Sequence, residues 1–380
     1  MTNDSGAKEP FIRIAKKDDV SFVWAIIVRV IAVAAALIVC AALIIAITGL
    51  NPIEVYKAMF AGALGTSRRM WITFRDSAIL LCAAVAITPA FRMRFWNIGA
   101  EGQILVGGAA TAAVMIYCGN NMPAWQLFLL MIICSAAAGL IWGFLPAFFK
   151  AFWNTNETLF TLMMNYVAIQ LVSFLTIKWE SVKGSGNIGL INQGTSAGWI
   201  PTSFLSDVFG KFNYSIVVAS VLVITLFVFI YMKFSKHGYE IAVVGENENT
   251  ARYTGINVKK VLIRTMAMSG AIAGFTGFLL VSGSSHTLSV GTAGGAGFTA
   301  IMVSWLAKFN PLAMIFISFF LTFLSKGSIQ IASQFHLNES ASEIITGIIL
   351  FFIIGCEFFL NYRIIFNRAN RRAVGKEEQK

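Results

Sequence analysis

The segment Phe95-Trp96-Asn97-Ile98-Gly99-Ala100-Glu101-Gly102-Gln103 sets three polar side chains, Asn97, Glu101 and Gln103, beside glycines at the margin of an apolar run. Polar groups are costly at hydrocarbon depth and ordinarily face a cavity or a partner there. The glycines permit a broken helix or a close backbone approach. These three residues are therefore candidates to line or frame a path for a solute. A plainer reading stands beside it, an interfacial turn in which Glu101 favours the positive end of a helix. Asn165 lies inside a second apolar run, Thr161-Leu162-Met163-Met164-Asn165-Tyr166. Its amide has the donor and acceptor to meet a hydroxylated solute. It would equally serve as a hydrogen bond between helices, worth about 1 kcal/mol or less.

Chemistry of other kinds finds no footing. The chain has no GxxxxGK[ST] loop for ATP, no HExxH and no GxSxG. Cys40, Cys82, Cys118, Cys134 and Cys356 sit in or beside apolar runs without CxxC spacing, and His237, His286 and His336 lack metal-ligand spacing. Catalytic residues, a metal and a cofactor of the chain's own are not expected.

The elements that must position the polar residues follow from composition. Of 380 residues, 57% are hydrophobic and only 12% charged, with a mean hydropathy of +0.74. A soluble domain carries about a quarter charged residues. The solvent for this much apolar surface is lipid, and the fold class is all-α, a polytopic membrane protein. Apolar stretches near the roughly 20 residues that span a bilayer lie at 24–48, 76–90, 103–118, 124–148, 158–177, 213–232, 263–282, 298–307, 312–331 and 343–361. This reads as about ten transmembrane helices. No cleavable secretory signal is evident.

The net charge of +11 comes from bases between the apolar runs and in the tail. That placement suits anionic lipid headgroups and topology rather than nucleic acid. Arg92, Arg94, Lys150, Lys233, Lys236, Arg252, Lys259, Lys260, Arg264, Arg363, Arg368, Arg371 and Arg372 fall on one side if both termini are cytoplasmic, whereas Lys57, Arg68, Arg69 and Arg75 run against the rule. The chain then divides into a cytoplasmic segment 1–23, a membrane domain 24–361 and a basic cytoplasmic tail 362–380. Residues 178–212 form an outside loop and 233–262 a cytoplasmic one. Within the latter, Glu246 to Tyr253 can form a short helix, with Gly255 as its stop. It is either a docking element for a soluble partner or an ordinary solvated connection.

The two halves, roughly 70–178 and 260–361, repeat a pattern. Gly99, Gly102, Gly107 and Gly108 precede Pro123, a long apolar run and Asn156-Glu157-Thr158; Gly291, Gly294, Gly295 and Gly297 precede Pro311, a long apolar run and Asn338-Glu339-Ser340. The halves enter the membrane from opposite sides in this topology, an inverted repeat of the kind many transporters use. Each triplet also suits a helix N-cap.

Four segments, in order, carry a family likeness: Trp96–Gln103, Thr161–Tyr166, Gly238–Lys259, and Gly297-Phe298 with Asn310-Pro311. They resemble the permeases of ABC importers for simple sugars, branched-chain amino acids and nucleosides, most of all the nucleoside permeases linked to basic membrane proteins. The likeness covers most of residues 45–335. Trp96 and Leu162 replace the family's usual Phe and Ile. Ala242, Thr299 and Ala307-Lys308 stand where the family often has Arg, Asp and a Gly-Gly-like pair. The resemblance implies a fold like the vitamin B12-type (type II) permeases and import of a nucleoside or related ribose-like solute. It also implies three partners: a cytoplasmic ABC ATPase that binds the ATP, a second permease subunit, identical or homologous, and an extracytoplasmic substrate-binding lipoprotein. The ATPase would dock on Gly245, Glu246, Asn247, Asn249, Ala251, Arg252, Tyr253 and Gly255. Competing readings are a permease of the same fold for a simple sugar or flavin, an ion-coupled secondary transporter, and a membrane enzyme. The last two are opposed by the absence of paired mid-membrane acids and of a catalytic cluster.

Overall fold

The structure is a computed structural model and describes residues 12–16, 22–202 and 213–366. The described residues are helical apart from loops and one short antiparallel pair, β1 (Ile12–Lys16) with β2 (Tyr362–Phe366), in which Ile14 is registered with Ile364. This pair uses parts of the expected terminal segments 1–23 and 362–380; most of the rest, including Arg368, Arg371 and Arg372, and residues 203–212 of the outside loop lie outside the described residues.

Among the described residues, seven helices are long and apolar enough to cross a membrane. They are α3 (Ser67–Arg92), α4 (Ala100–Cys118), α5 (Ala124–Trp153), α6 (Glu157–Trp179), α7 (Ser215–Phe234), α10 (Val258–Leu280, prolonged by a π-helical turn to Ser285) and α12 (Pro311–Phe335). Three shorter apolar stretches are Val30–Ala46 in α1 (Phe22–Thr48), all of α11 (Ala296–Leu306), and Ile344–Leu360 in α13 (Glu339–Asn361). Each apolar stretch read from the sequence falls on one of these. The short helix α2 (Pro52–Leu64) and the first nine residues of α3 were not expected. Their mixture of charged and apolar residues hides them from a count of apolar length.

The described residues sort into two compact units, those within 1–62 and 327–380, and those within 63–326. In the first, α1 packs along α13, with the Cys40 thiol donating to the Ile345 carbonyl, and Tyr56 of α2 donates to the Leu37 carbonyl. The second holds the functional residues. Its centre is a seam of glycines joining α4, α5 and α10. A Cβ placed on Gly274 would lie 2.2 Å from the Ser135 carbonyl oxygen, and one on Gly277 2.2 Å from that of Ile104. Backbones that touch in this way gain dispersion contacts that larger residues would forbid.

Two helical paths in this unit are broken. The first ends at Arg92 and resumes at Ala100 as α4; the second leaves α10 through its π-helical turn and resumes at Ala296 as α11. The element order therefore repeats as the sequence reading expected: helix, break, helix, a proline-started helix, and a helix capped by asparagine. Asn156 accepts from Leu159 N at 3.1 Å and Asn338 from Ser340 N at 3.3 Å. Between α6 and α7, residues 180–202 fold back over the end of α10. Ile191 N donates to the His286 carbonyl and Ile200 N to that of Ser282, both at 2.9 Å.

Candidate functional site

Helix α3 must stop near Arg92 because Arg94 takes a left-handed φ of 60° and the glycines of 99–102 follow. The break leaves backbone groups without helical partners, and polar side chains supply them. Asn97, wholly buried, accepts from Gly99 N at 3.1 Å and from the Gln103 amide at 3.2 Å, and its own amide donates to Gln103 Oε1 at 3.3 Å and Ser269 Oγ at 3.5 Å. From α6, Asn165 accepts from Gly102 N at 2.8 Å and donates to the Ile98 carbonyl at 2.9 Å. Thr161, one turn earlier, accepts from Ile98 N at 3.2 Å. The structure thus brings Asn97, Gln103 and Asn165 together around the break, buried and hydrogen-bonded within the protein.

Glu101 reaches elsewhere. Its carboxylate accepts from Gly295 N at 2.8 Å and Gly297 N at 2.7 Å, so it closes the N-terminal end of α11. An anion at a helix N-terminus meets both free N–H groups and the positive end of the dipole. Gly295 has φ +74°, and a Cβ on Gly297 would lie 2.4 Å from Glu101 N. Both glycines are therefore required for the approach. Glu101 joins the first break to the second across the repeat.

Two residues that sequence reasoning missed complete the picture. Asp76 of α3 pairs with Lys326 of α12 at 2.6 Å and with its neighbour Arg75 at 2.8 Å. Arg75 also lies over the Tyr214 ring, 4.8 Å from its centre. Asp76 stands at the head of the apolar stretch of α3 and Lys326 lies within that of α12. Charged residues within membrane-length helices mark functional sites by default. The signal was present as a lone lysine inside the 312–331 apolar stretch and an acid at the head of 76–90. Close to this group, Trp199 of the 180–202 segment stacks on His286, ring centres 4.1 Å apart. Burial pushes the His286 imidazole below its ordinary range, and the charge of Arg75 adds to the shift.

The candidate docking segment is two helices rather than one. Helix α8 (Lys236–Glu246) ends before Asn247, which starts α9 (Glu248–Tyr253) by accepting from Asn249 N at 2.8 Å and Thr250 N at 3.2 Å. An asparagine with a free N–H two residues on is a stronger helix start than a helix interior, which is why the expected run Glu246 to Tyr253 breaks there. Gly245 and Ala251 are buried; a Cβ on Gly245 would lie 2.1 Å from the Arg92 carbonyl oxygen, at the end of α3. Glu246, Asn247, Asn249 and Arg252 are exposed, and Tyr253 is 93% exposed. Gly255, with φ +81°, ends the unit as Ile256 N donates to the Ala251 carbonyl at 2.9 Å.

Comparison with known proteins gives this architecture a family. A glucose ABC transporter permease of Haloferax volcanii is 28% identical over 88% of this chain and 88% of its own length. A guanosine ABC transporter permease of Bacillus subtilis is 30% identical over 82% and 88%, and a nucleoside ABC transporter permease of Lactococcus lactis 26% identical over 82% and 86%. No solved structure matches. The family described as the branched-chain amino acid transport system permease component matches residues 69–354. These are transport permeases rather than enzymes. Seven membrane-length helices, two broken helices tied by Glu101 and a match over most of its length make this chain a member of that family, a multi-pass membrane permease of the ABC type.

Proposed function

We propose that the chain forms the membrane path of an ABC importer for a nucleoside or a related ribose-like solute. The observation that supports this most is the match, over more than four-fifths of the chain, to permeases named for guanosine and for nucleosides. A simple sugar is the second reading, supported by the match to a glucose permease over 88% of the chain. In this reading Asn97, Glu101, Gln103 and Asn165 frame the path by holding the broken helices in place. ATP is bound by a separate cytoplasmic ATPase. The exposed residues of α8 and α9 meet that ATPase, while Gly245 and Ala251 pack them against the membrane part. A second permease subunit, identical or homologous, completes the path, and an extracytoplasmic lipoprotein delivers the solute. Both termini then face the cytoplasm of a bacterial cell, and the basic loops lie against anionic lipid on that side.

The test is reconstitution. The purified chain alone is expected to hydrolyse no ATP. Proteoliposomes holding the chain with its cognate ATPase and binding protein should take up labelled guanosine in an ATP-dependent way. Uptake of glucose and not guanosine would favour the sugar reading. Hydrolysis by the chain alone, free of contaminating ATPase, would remove the subunit assignment.

A further inference from the structure

The Asp76–Lys326 pair stands at the wall of a cavity of about 420 Å³. Four elements meet around it: α3, the π-helical turn after α10, the start of α11 with the residues leading into it, and α12. Hydroxyls face it from Ser284, Thr292, Thr299 and Thr322, and Ile79 and Leu80 supply apolar wall. Asp76 and Lys326 keep side-chain exposures of 22% and 31%, so the pair is open to the space it borders rather than sealed in the core. None of the lining residues is aromatic.

The charges nearby cancel. Lys326 and Arg75 carry two positive charges, Asp76 and Glu101 two negative ones. The N-terminus of α11, a natural anion-binding feature, is already occupied by the Glu101 carboxylate. A solute anion would have to displace Asp76 from Lys326 or Glu101 from the helix end. A neutral polyol asks for neither. The carboxylate accepts from one hydroxyl, the ammonium donates to its neighbour, and the Thr and Ser hydroxyls act in either role. With no ring to stack on a base, the cavity has contacts for the hydroxylated part of a solute and few for a planar heterocycle.

We propose that this cavity is a solute site that grips vicinal hydroxyls of an uncharged solute through the Asp76–Lys326 pair and discriminates against phosphorylated forms. This deepens the proposed function and rests on it for the route, though the site itself is tested separately. A site built on hydrogen bonds to hydroxyls rejects analogues that lack them far more strongly than it sorts apolar differences.

The experiment uses the assembled transporter in proteoliposomes, with Thr299→Cys or Thr322→Cys as reporters and the wild type as labelling background. A charged water-soluble thiol reagent is applied with and without millimolar guanosine, glucose, 2′,3′-dideoxyguanosine or glucose 6-phosphate, and uptake is measured in parallel. The expected result is at least fivefold slower labelling of either cysteine with guanosine or glucose, and little change with the dideoxy or phosphorylated compounds. Asp76→Asn should abolish that protection while the complex still co-purifies. Unchanged labelling in a transporter that takes up guanosine or glucose would overturn the site and leave the permease reading intact. Protection without uptake of either solute would count against the substrate reading and uphold the site. Equal protection by glucose 6-phosphate would overturn the charge-based selectivity.

Discussion

Glu101 does the work that two helix caps would otherwise share. Removing it strands the N–H groups of Gly295 and Gly297, and a buried donor left unpaired costs about 1–3 kcal/mol. Glu101→Ala should therefore lower the melting temperature of the purified protein measurably. Glu101→Gln, which keeps one acceptor oxygen and roughly the same shape, should fall between the variant and the wild type. A Gln variant as unstable as the Ala variant would mean that charge, not the hydrogen bond, carries the effect. His286 makes a pH-dependent contribution. Its folded value is lowered from the ordinary 6.5 by burial first and by Arg75 second, so the folded chain holds the proton less readily than the unfolded one. The stability this contributes is full above about pH 6.5 and is lost as pH falls through the folded value. Melting temperatures at pH 7.5 and 5 should show a smaller acid loss for His286→Asn than for wild type. An equal loss in both would assign the acid sensitivity elsewhere.

At the scale of elements, α8 and α9 form a bracket with an inner and an outer face. The inner face is set by Gly245 against the Arg92 carbonyl and by buried Ala251. The outer face offers Glu246, Asn249, Arg252 and Tyr253. The i,i+4 pair Glu248–Arg252, 3.6 Å apart and largely exposed, adds little stability, so its residues are free to serve a partner. The triple change Glu246→Ala, Asn249→Ala, Arg252→Ala should leave the membrane part folded and abolish co-purification with the ATPase or uncouple it from uptake. Normal co-purification with normal uptake would falsify the docking claim. Gly245→Val should act differently: a side chain there collides with the end of α3 and should lower stability before any partner is added. Sequence patterning showed that this loop holds a short helix and that glycines bracket it. It did not show the division at Asn247, because an asparagine reads equally as a polar helix residue and as a cap until its neighbours' N–H groups are placed.

For the molecule as a whole, the apolar runs were legible because length and composition decide what lipid will solvate. The repeat was legible in outline through its prolines and Asn-led triplets. Asn97, Glu101, Gln103 and Asn165 stood out by polarity, but nothing in spacing revealed that Glu101 binds α11, since 194 residues separate it from Gly295. Asp76 and Lys326 escape notice for the same reason: one reads as a charge at the head of an apolar stretch, the other as a lone base within another, until the two are seen to pair. Helix α2 lacks the apolar length that betrays the others.

The glycine seam of α4, α5 and α10 has a kinematic consequence. Backbones that would meet an added Cβ at 2.2–2.4 Å, as at Gly107, Gly139, Gly270, Gly274 and Gly277, have no slack in which to slide or rotate past one another. A transport cycle cannot shear these three helices without opening gaps that neither lipid nor water fills well. They must travel as one body, and the displacement between inward-open and outward-open states has to be taken up at other contacts. Spin labels at Ile133 of α5 and Lys259 of α10, both exposed, should report the same distance distribution with and without ATP in the assembled transporter. A shift of several ångströms between the two conditions would show that the seam is a bearing and not a weld.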